Sequence, residues 1–337
     1  MKQRKIAAVG VRQVAALAGV SAITVCRALA EPERVAAKTR ERVDAAVKAT
    51  GYIPNRIASS FASNVTRMIA AVVPTLDNSI AADFIEGMLE VIRPRGYQLL
   101  LGKSNFSIAE EETLVREFIG RRADGIYLTG STHTPGTHAL LRQAGTPTVE
   151  IACLPQPPID LAVGFSNTGA AYAMTRHLAL SGRRRIALFT PLREHNDRQT
   201  QRLDGYRQAL AELGLDDDKR LVAEMPMTLA AAAAALRVLL GQRPDVDALF
   251  CTSDVLAVGA LFECQRRGLA VPGALAIAGF EDMEIAACIQ PPLTTVRIPR
   301  RAIGQHAGAL LLARIAGEEI ETPVVDCGFE LVIRDTA

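Results

Sequence analysis

The sequence predicts an α/β protein in which a small, all-helical N-terminal head precedes a two-lobed core with parallel sheets. Three observations predict this organisation. Residues 11–29 have the spacing of two short helices joined by a turn, strands and helices alternate from Met68 onward, and positive charge is concentrated in the first 60 residues. A chain of 337 residues is long enough for two or three domains.

The head opens with a helix-turn-helix pattern. Apolar residues recur at helical spacing on the first helix, at Val11, Val14, Ala15 and Ala18. Gly19 suits a turn with positive φ, and Ser21 is a good N-cap for a second helix. Val25 and Leu29 of that helix face back toward the first helix. The spacing is typical of a DNA-reading head, with two packed helices of any small bundle as the alternative.

Two further segments follow the helix-turn-helix. Residues 35–47 form a third amphipathic helix, which completes a head over residues 1–53. Pro54 breaks the helical pattern, because the residue before a proline is pushed out of the helical region. Residues 55–63 suit one short hinge helix that is marginal in isolation, within a linker over residues 54–66.

The core is predicted from two rounds of strand and helix alternation, the second of which begins after Gly164. Strands are predicted at 69–74, 97–101, 125–129, 148–152, 186–190, 248–251 and 275–278. Helices are predicted at 82–93, 110–119, 137–144, 170–180, 200–213, 230–240 and 255–267. This alternation implies parallel sheets with helices on both faces. The two rounds predict two similar subdomains with a cleft between them, and we expect ligands to bind outside the carboxyl ends of the strands.

Charge is distributed unevenly. Residues 1–60 hold eleven Lys and Arg against four acids, a balance of +7, and because the whole chain carries +2 the remainder carries −5. A basic head on a mildly acidic body suits a head that meets phosphates, with a solvated basic surface as the alternative. The six cysteines lie far apart without a CxxC pair. With no signal-peptide pattern at the N-terminus, this favours a cytoplasmic chain with reduced thiols.

The sequence contains no motif that supports catalysis. No two of the 25 glycines are spaced i, i+2, which excludes a GxGxxG dinucleotide loop. Gly102-Lys103-Ser104 lacks the first glycine of a phosphate loop, because Tyr97 occupies that position and Gly96 suits a helix C-cap instead. The five histidines show no metal-ligand spacing, and no serine lies in GxSxG. We therefore expect a protein that is not an enzyme and has no cofactor or metal.

The whole chain resembles the LacI/GalR family of transcriptional regulators. The residues that carry the resemblance are Val14-Ala15, Ala18-Gly19-Val20-Ser21, Thr24-Val25, Arg27, Thr39-Arg40 and Gly51-Tyr52-Ile53-Pro54-Asn55-Arg56. The resemblance implies a periplasmic-binding-protein-like core over residues 67–337 that binds an effector and dimerises. It assigns about 67–164 and 298–326 to an N-terminal subdomain, and about 165–296 and 328–337 to a C-terminal one. It also implies three crossings between them, near residues 164, 297 and 327.

The resemblance also implies which residues meet DNA. These are Ser21, Ala22, Ile23, Thr24, Arg27, Thr39, Asn55, Arg56, Ala58 and Phe61. Ala22, Ile23 and Arg27 occupy base-reading positions, where Arg27 suits a bidentate contact to guanine. The small polar residues suit phosphate contacts, with helix capping or solvation as the alternative. Phe61 stands where the family wedges a leucine into the minor groove, the alternative being packing between two hinge helices. Cys26 and Ala36 depart from the serines common in the family.

For the effector site the resemblance implies a second set of residues. These are Ile80, Ala81, Glu150, Phe165, Arg198, Arg202, Ser253, Asp254 and Glu281. Arg198 and Arg202 are spaced i, i+4, share one helix face, and suit a carboxylate or phosphate. The alternative is that they are surface arginines paired with Glu194 or Asp204.

Within the family, four stretches resemble the gluconate-utilisation repressors. They are residues 132–135, 162–165, 257–266 and 276–280. The resemblance implies a homodimeric repressor, with a tetramer as the alternative, that binds a two-fold symmetric operator under control of gluconate or 6-phosphogluconate. Glu281 departs from that subgroup. An acid beside an anionic ligand is also unfavourable. A neutral sugar or nucleobase effector stays open, as does a non-catalytic sugar-binding protein.

Overall fold

The computed structural model describes residues 9–30, 32–53, 65–77 and 79–337. The chain forms two compact units, Met1–Thr66 and Arg67–Ala337. The predicted hinge helix, with Asn55, Arg56, Ala58 and Phe61, lies outside the described residues. Among the described residues no single helix is long and apolar enough to cross a membrane. One bent pair of helices in the head is long and apolar enough when the two helices are taken together, by length and composition alone.

The first unit contains the three helices of the head. They are α1 (Val11–Ala18), α2 (Ala22–Ala30) and α3 (Ala37–Thr50), with a 3-10 turn at Pro32–Arg34 between the last two. Small apolar side chains form its core, namely Val14, Ala15, Ala18, Val25, Ala28, Val43 and Ala46. The third helix begins two residues later than predicted and extends to Thr50, because Gly51 adopts a left-handed conformation (φ 64°) that ends it.

The turn between α1 and α2 is fixed by its glycine and by α3. Gly19 has φ 62°, as its position predicts, and a side chain there would meet the Arg42 guanidinium. Arg42 of α3 donates to the Ala18 and Gly19 carbonyls. These bonds satisfy carbonyls at the end of α1 that have no partner within the helix. Arg42 therefore fixes the angle at which α2 leaves the turn, a role that the sequence did not indicate.

The second unit begins with a parallel sheet. Its strands are β1 (Met68–Val73), β2 (Gln98–Lys103), β3 (Gly125–Thr129), β4 (Thr148–Ile151), β5 (Leu161–Gly164) and β11 (Val324–Asp326), in the order β11-β5-β4-β3-β1-β2. Its helices are α4 (Ile80–Ile92), α5 (Ile108–Gly120), α6 (Pro135–Ala144) and α12 (Arg300–Ile315). Alternate strand residues supply the two faces of this sheet, and α4 crosses α12 closely where Gly87 and Gly304 leave no room for a side chain.

The other half of the unit contains a second parallel sheet. Its strands are β6 (Ile186–Pro191), β7 (Val222–Met225), β8 (Ala248–Cys251) and β9 (Ala276–Ala278), in the order β7-β6-β8-β9. Its helices are α7 (Asn167–Leu180), α8 (Asp197–Glu212), α9 (Leu229–Gln242), α10 (Asp254–Arg267) and α11 (Glu284–Cys288). The helix predicted over residues 200–213 begins three residues earlier, at Asp197, so Arg198 lies in its first turn.

The chain passes between the two halves at three places. It leaves the first sheet after β5 and returns at α12, after β10 (Thr295–Arg297). It leaves again after β11 and ends with β12 (Glu330–Val332), which pairs antiparallel with β10. We call the half around the first sheet the N half and the half around the second sheet the C half. The carboxyl ends of both parallel sheets border the space between the halves, which is where ligands of such folds are expected.

Candidate functional sites

The second helix of the head presents a mixed polar and apolar surface. Ser21 caps this helix, as predicted, because its Oγ accepts the Thr24 N–H at 3.1 Å and lies 2.8 Å from Thr24 Oγ1. The Ile23 side chain is 72% exposed, although it is large and apolar. Arg27 is exposed, and it forms no ion pair with any residue that the structure describes. These exposed side chains are available for contact with another molecule.

A cleft of about 90 Å³ lies between the two halves of the core. Side chains from α4 and from the carboxyl ends of β1, β3 and β4 line it from the N half, and α8 lines it from the C half. Predicted effector residues among its lining are Ile80, Ala81, Phe165, Arg198, Arg202 and Glu281. Apolar side chains line most of the cleft, and a few charged groups converge on it, as in small-molecule sites.

Arg202 is held rigidly in the wall of this cleft. Its Nε donates to Asn167 Oδ1 at 2.9 Å, its Nη1 donates to the Thr252 carbonyl at 2.8 Å, and it is only 4% exposed. Its guanidinium carbon lies 3.7 Å from the centre of the Phe280 ring, a cation–π contact. Burial lowers the pKa of Arg202 to about 10, and the neighbouring Glu281 opposes that shift. The surface alternative for Arg202 is therefore wrong.

Arg198 takes part in a contact between the halves. Its Nη1 lies 3.1 Å from Asp197 Oδ1. Asp197 Oδ2 accepts the Ser131 N–H at 2.8 Å and the Ser131 hydroxyl at 2.5 Å, although Ser131 follows β3 in the N half. Burial would raise the pKa of Asp197, but the Arg198 charge and the Ser131 bonds lower it below its usual value. Asp197 thus stays ionised, orients Arg198 and joins the two halves.

Glu281 brings a negative charge to the same cleft. Its Oε1 lies 3.7 Å from Arg202 Nη1, while its buried Oε2 has no hydrogen-bond partner among the residues that the structure describes. Burial raises the pKa of Glu281, and the neighbouring arginines oppose the rise. Glu281 has φ 109° and Asp282 has φ 49°, a strained turn for residues with side chains. This turn directs the carboxylate toward Arg202.

The structure adds three polar residues to the lining of the cleft. Arg300 lines the cleft, donates to Asp83 Oδ2 at 2.7 Å in the N half and donates to the Glu281 carbonyl in the C half. Asn196 Oδ1 and Tyr127 OH also line it and are buried, without hydrogen-bond partners in the described part of the chain. No sequence motif marks Arg300 or Tyr127, because they come from segments far from Arg198 in the chain and meet it only through the fold.

The comparisons with known proteins agree with this architecture. Residues 11–55 match the model of bacterial regulatory proteins, lacI family, and residues 175–337 match a periplasmic binding protein-like domain. The HTH-type transcriptional regulator GntR of Escherichia coli (strain K12) is 36% identical over 320 residues, which cover 95% of this chain and 96% of that protein. The chain belongs to the LacI family. It is a DNA-binding transcriptional repressor and not an enzyme.

Two other LacI-family proteins extend the match. GntR of Pseudomonas aeruginosa is 36% identical over 325 residues, covering 96% of this chain and 94% of that protein. The crystal structure of the transcription regulator GntR from Chromobacterium violaceum is 39% identical with a TM-score of 0.77, covering 80% of this chain and 98% of that one. Regulators of this family bind operator DNA and small effectors and act as dimers.

In this LacI-family repressor, Ser253 and Asp254 do not line the cleft, which corrects their predicted position. Both are buried, and Asp254 accepts the Thr295 hydroxyl at 2.6 Å and the Met283 N–H at 2.7 Å. Burial raises the pKa of Asp254 to about 7, although these bonds oppose the rise. Asp254 therefore braces the strained turn that carries Glu281, one layer behind the cleft.

Glu150 also lies outside the cleft. It borders a second cavity of about 560 Å³ beside α6, because its side chain points to the opposite face of the sheet from Val149 and Ile151. Its Oε2 accepts the Ile159 N–H at 2.6 Å, and its Oε1 lies 3.4 Å from His133 Nε2. The predicted role of Glu150 in the effector cleft is therefore corrected to a buried charge cluster. No group of metal-ligating side chains was found in the described chain.

Proposed function

We propose that this repressor senses a small sugar acid, gluconate or 6-phosphogluconate, in the cleft between its halves. The observation that carries the proposal is the convergence of three guanidinium groups, those of Arg198, Arg202 and Arg300, on the lining of the cleft. Glu281 is the one acid among the lining residues, while Asp197 and Asp83 pair with Arg198 and Arg300. Guanidinium groups bind carboxylate and phosphate through paired hydrogen bonds, so this lining suits an anionic ligand.

The polar atoms without partners support a ligand with several hydroxyl groups. Glu281 Oε2 and Asn196 Oδ1 are able to accept hydrogen bonds, and Tyr127 OH is able to donate or accept one, but the described chain supplies no partner for them. Buried polar atoms are costly when they stay unpaired. A polyol chain supplies both donors and acceptors, and hydroxyl donors suit Glu281 better than a second anion would. This arrangement accommodates an acid at one end of the ligand and hydroxyls along the rest.

The proposed mechanism is a shift between two arrangements of the halves. Ser131–Asp197 and Arg300–Glu281 join the halves across the cleft. A ligand that prefers one arrangement changes the populations only by its difference in affinity for the two. The arrangement of the halves in turn controls the spacing of two heads in a dimer, and hence operator binding.

We infer that α2 reads the operator through Ala22, Ile23 and Arg27, with Ser21, Thr24, Thr39 and Asn55 near phosphates. Exposure of Ile23 and Arg27 supports this reading surface. We also propose that Arg56, Ala58 and Phe61 contact DNA. The six cysteines form no disulfide, which supports a cytoplasmic location. A homodimer, rather than a tetramer, is the form we expect.

Isothermal titration calorimetry of the full-length protein with gluconate, 6-phosphogluconate and glucose tests the effector. We expect one of the two acids to bind and to release operator DNA, selected from a random pool, in a mobility-shift assay. Arg198→Gln should weaken acid binding at least tenfold while the unfolding temperature stays within a few degrees. Arg176→Gln, an exposed arginine of the C half, is the control. If glucose binds and neither acid does, the proposal of a sugar-acid effector is wrong and the effector is a neutral sugar.

A further inference from the structure

Five arginines lie at the edge of the first sheet where its strands begin. We call this surface the basic edge and define it as Arg67, Arg93, Arg95, Arg121 and Arg122. All five residues are exposed. They come from three places, namely the start of β1, the turn after α4 and the turn after α5. In a parallel α/β layer the helices end where the strands begin, so these three segments share one edge.

Contacts between the segments bring the arginines together. Arg67 Nη1 donates to the Arg95 carbonyl at 3.2 Å, and the Arg67 N–H donates to Asp124 Oδ2 at 2.7 Å. Met68 pairs with Gln98 at the start of β2, and Ile69 pairs with Gly125 at the start of β3. The turns that carry the basic edge are therefore neighbours.

The charge of the basic edge is little neutralised. Arg93, Arg95 and Arg121 form no ion pair with the residues that the structure describes. The acids nearest in the chain are Glu90, Glu117 and Asp124, and Glu90 is bonded to Arg301 and Gln305 instead. The five positive charges of the basic edge minus the two negative charges of Glu117 and Asp124 leave an excess of three.

Two arginines at helix ends in the C half pair with acids. Arg243 after α9 lies 2.7 Å from Asp218 and 3.0 Å from Asp245, and Arg266 of α10 lies 2.6 Å from Glu263. A cation near a helix C-terminus is favourable for the helix dipole in both halves. That effect explains one arginine at each helix end, but it does not explain why Arg93, Arg95 and Arg121 form no ion pair within the described part of the chain.

The basic edge is also where the chain enters the core. Arg67 is the first residue of the second unit, and the chain before it carries the DNA-reading helices. The chain therefore tethers the basic edge to the unit that holds the DNA, which raises the local concentration of phosphates available to it. We propose that the basic edge binds phosphates of the DNA that the head reads, and so adds a sequence-independent contribution to affinity.

The experiment measures how binding to a 40-base-pair duplex of random sequence depends on salt. The slope of log K against log[salt] is negative, and each phosphate contact that is lost reduces its magnitude by about 0.9. Arg93→Gln/Arg121→Gln removes two charges per protomer, so in a dimer we expect a slope lower by about 2 to 4. Affinity at low salt should fall more than tenfold. The full-length protein is used, and its unfolding temperature should not change.

The control Arg176→Gln/Arg184→Gln removes the same charge from exposed positions of the C half. We expect its slope to stay within about 1 of the wild type. An equal drop in the control would show a bulk charge effect and overturn the proposal, as would an unchanged slope in Arg93→Gln/Arg121→Gln. Arg93→Lys/Arg121→Lys keeps the charge and should restore the slope; failure to do so would assign these arginines a structural role. None of these outcomes depends on the effector.

Discussion

At the scale of single residues, the core keeps buried charges by pairing them. His133 is the extreme case, since its side chain is fully buried between two acids that are themselves buried. Its Nδ1 lies 2.6 Å from Glu111 Oε1. Burial by itself would lower the pKa of His133, but the bonds to Glu111 and Glu150 outweigh it and raise the pKa to about 9. The imidazole is therefore charged in the folded protein at neutral pH.

The raised pKa of His133 predicts how stability depends on pH. A group with a folded pKa above its unfolded value of 6.5 stabilises the protein fully below pH 6.5, and this contribution is lost as the pH rises to about 9. Urea unfolding of the wild type should therefore show a decline on the order of 3 kcal/mol across this window. His133→Gln should be less stable at pH 6.5 and should flatten the decline. The same slope in both proteins would refute the assignment.

At the scale of elements, local sequence accounts for several helix ends in the described chain. Ser107, Thr134, Ser166 and Thr228 each accept a backbone N–H at the start of a helix, and Gly96 ends a helical turn with φ 78°, as predicted. The third helix of the head differs. Its N-cap is Ala36, which has the extended backbone of a cap but no side-chain oxygen. The backbone N–H groups of the first turn therefore lack a side-chain acceptor.

Ala36→Ser should stabilise α3 by about 1 kcal/mol, because a serine hydroxyl can accept a backbone N–H of the first turn. Hydrogen exchange of α3 amides in the full-length protein measures the change, with protection expected to rise roughly fivefold for 1 kcal/mol. Ala36→Val, which adds volume without an acceptor, is the matched control. Equal protection in the two variants would mean that capping does not limit this helix.

At the scale of the whole core, a few polar bonds cross the cleft between two halves that also share one hydrophobic cluster. The bond between Ser131 and Asp197 is one of them, and it joins the end of β3 to the start of α8. Hydrogen bonds to charged groups contribute about 1.5–3 kcal/mol. A single bond of this size shifts a two-state population by about ten- to a hundredfold.

Ser131→Ala should therefore favour an open arrangement of the halves. We expect faster hydrogen exchange at the start of α8 and a larger radius of gyration of the unliganded protein by small-angle scattering. Thr132→Ala is the control, because Thr132 is an exposed neighbour with no side-chain hydrogen bond among the described residues. If the two variants behave alike, the bond does not hold the halves together.

The sequence predicts more of the head than of the cleft. Residues near one another in the chain specify the head, since Gly19, Ser21 and the apolar spacing of α1 act within one or two helical turns. The cleft depends on residues far apart in the chain, since Arg300, which lines it, bonds to Asp83, 217 positions away. Spacing placed Arg198 and Arg202 on one face, but it contained no information about Arg300 or Tyr127.

The sequence by itself determined the helix-turn-helix, the two rounds of strand and helix, and the family, because these depend on local periodicity, capping and turn residues. Only the tertiary structure decided which charges meet. It moved Asp254 behind the cleft and Glu150 to the opposite face of the sheet, and it brought Arg300 into the cleft. The physical reason is that strand pleating and the packing of the two halves set side-chain direction, and both depend on residues far apart in the chain.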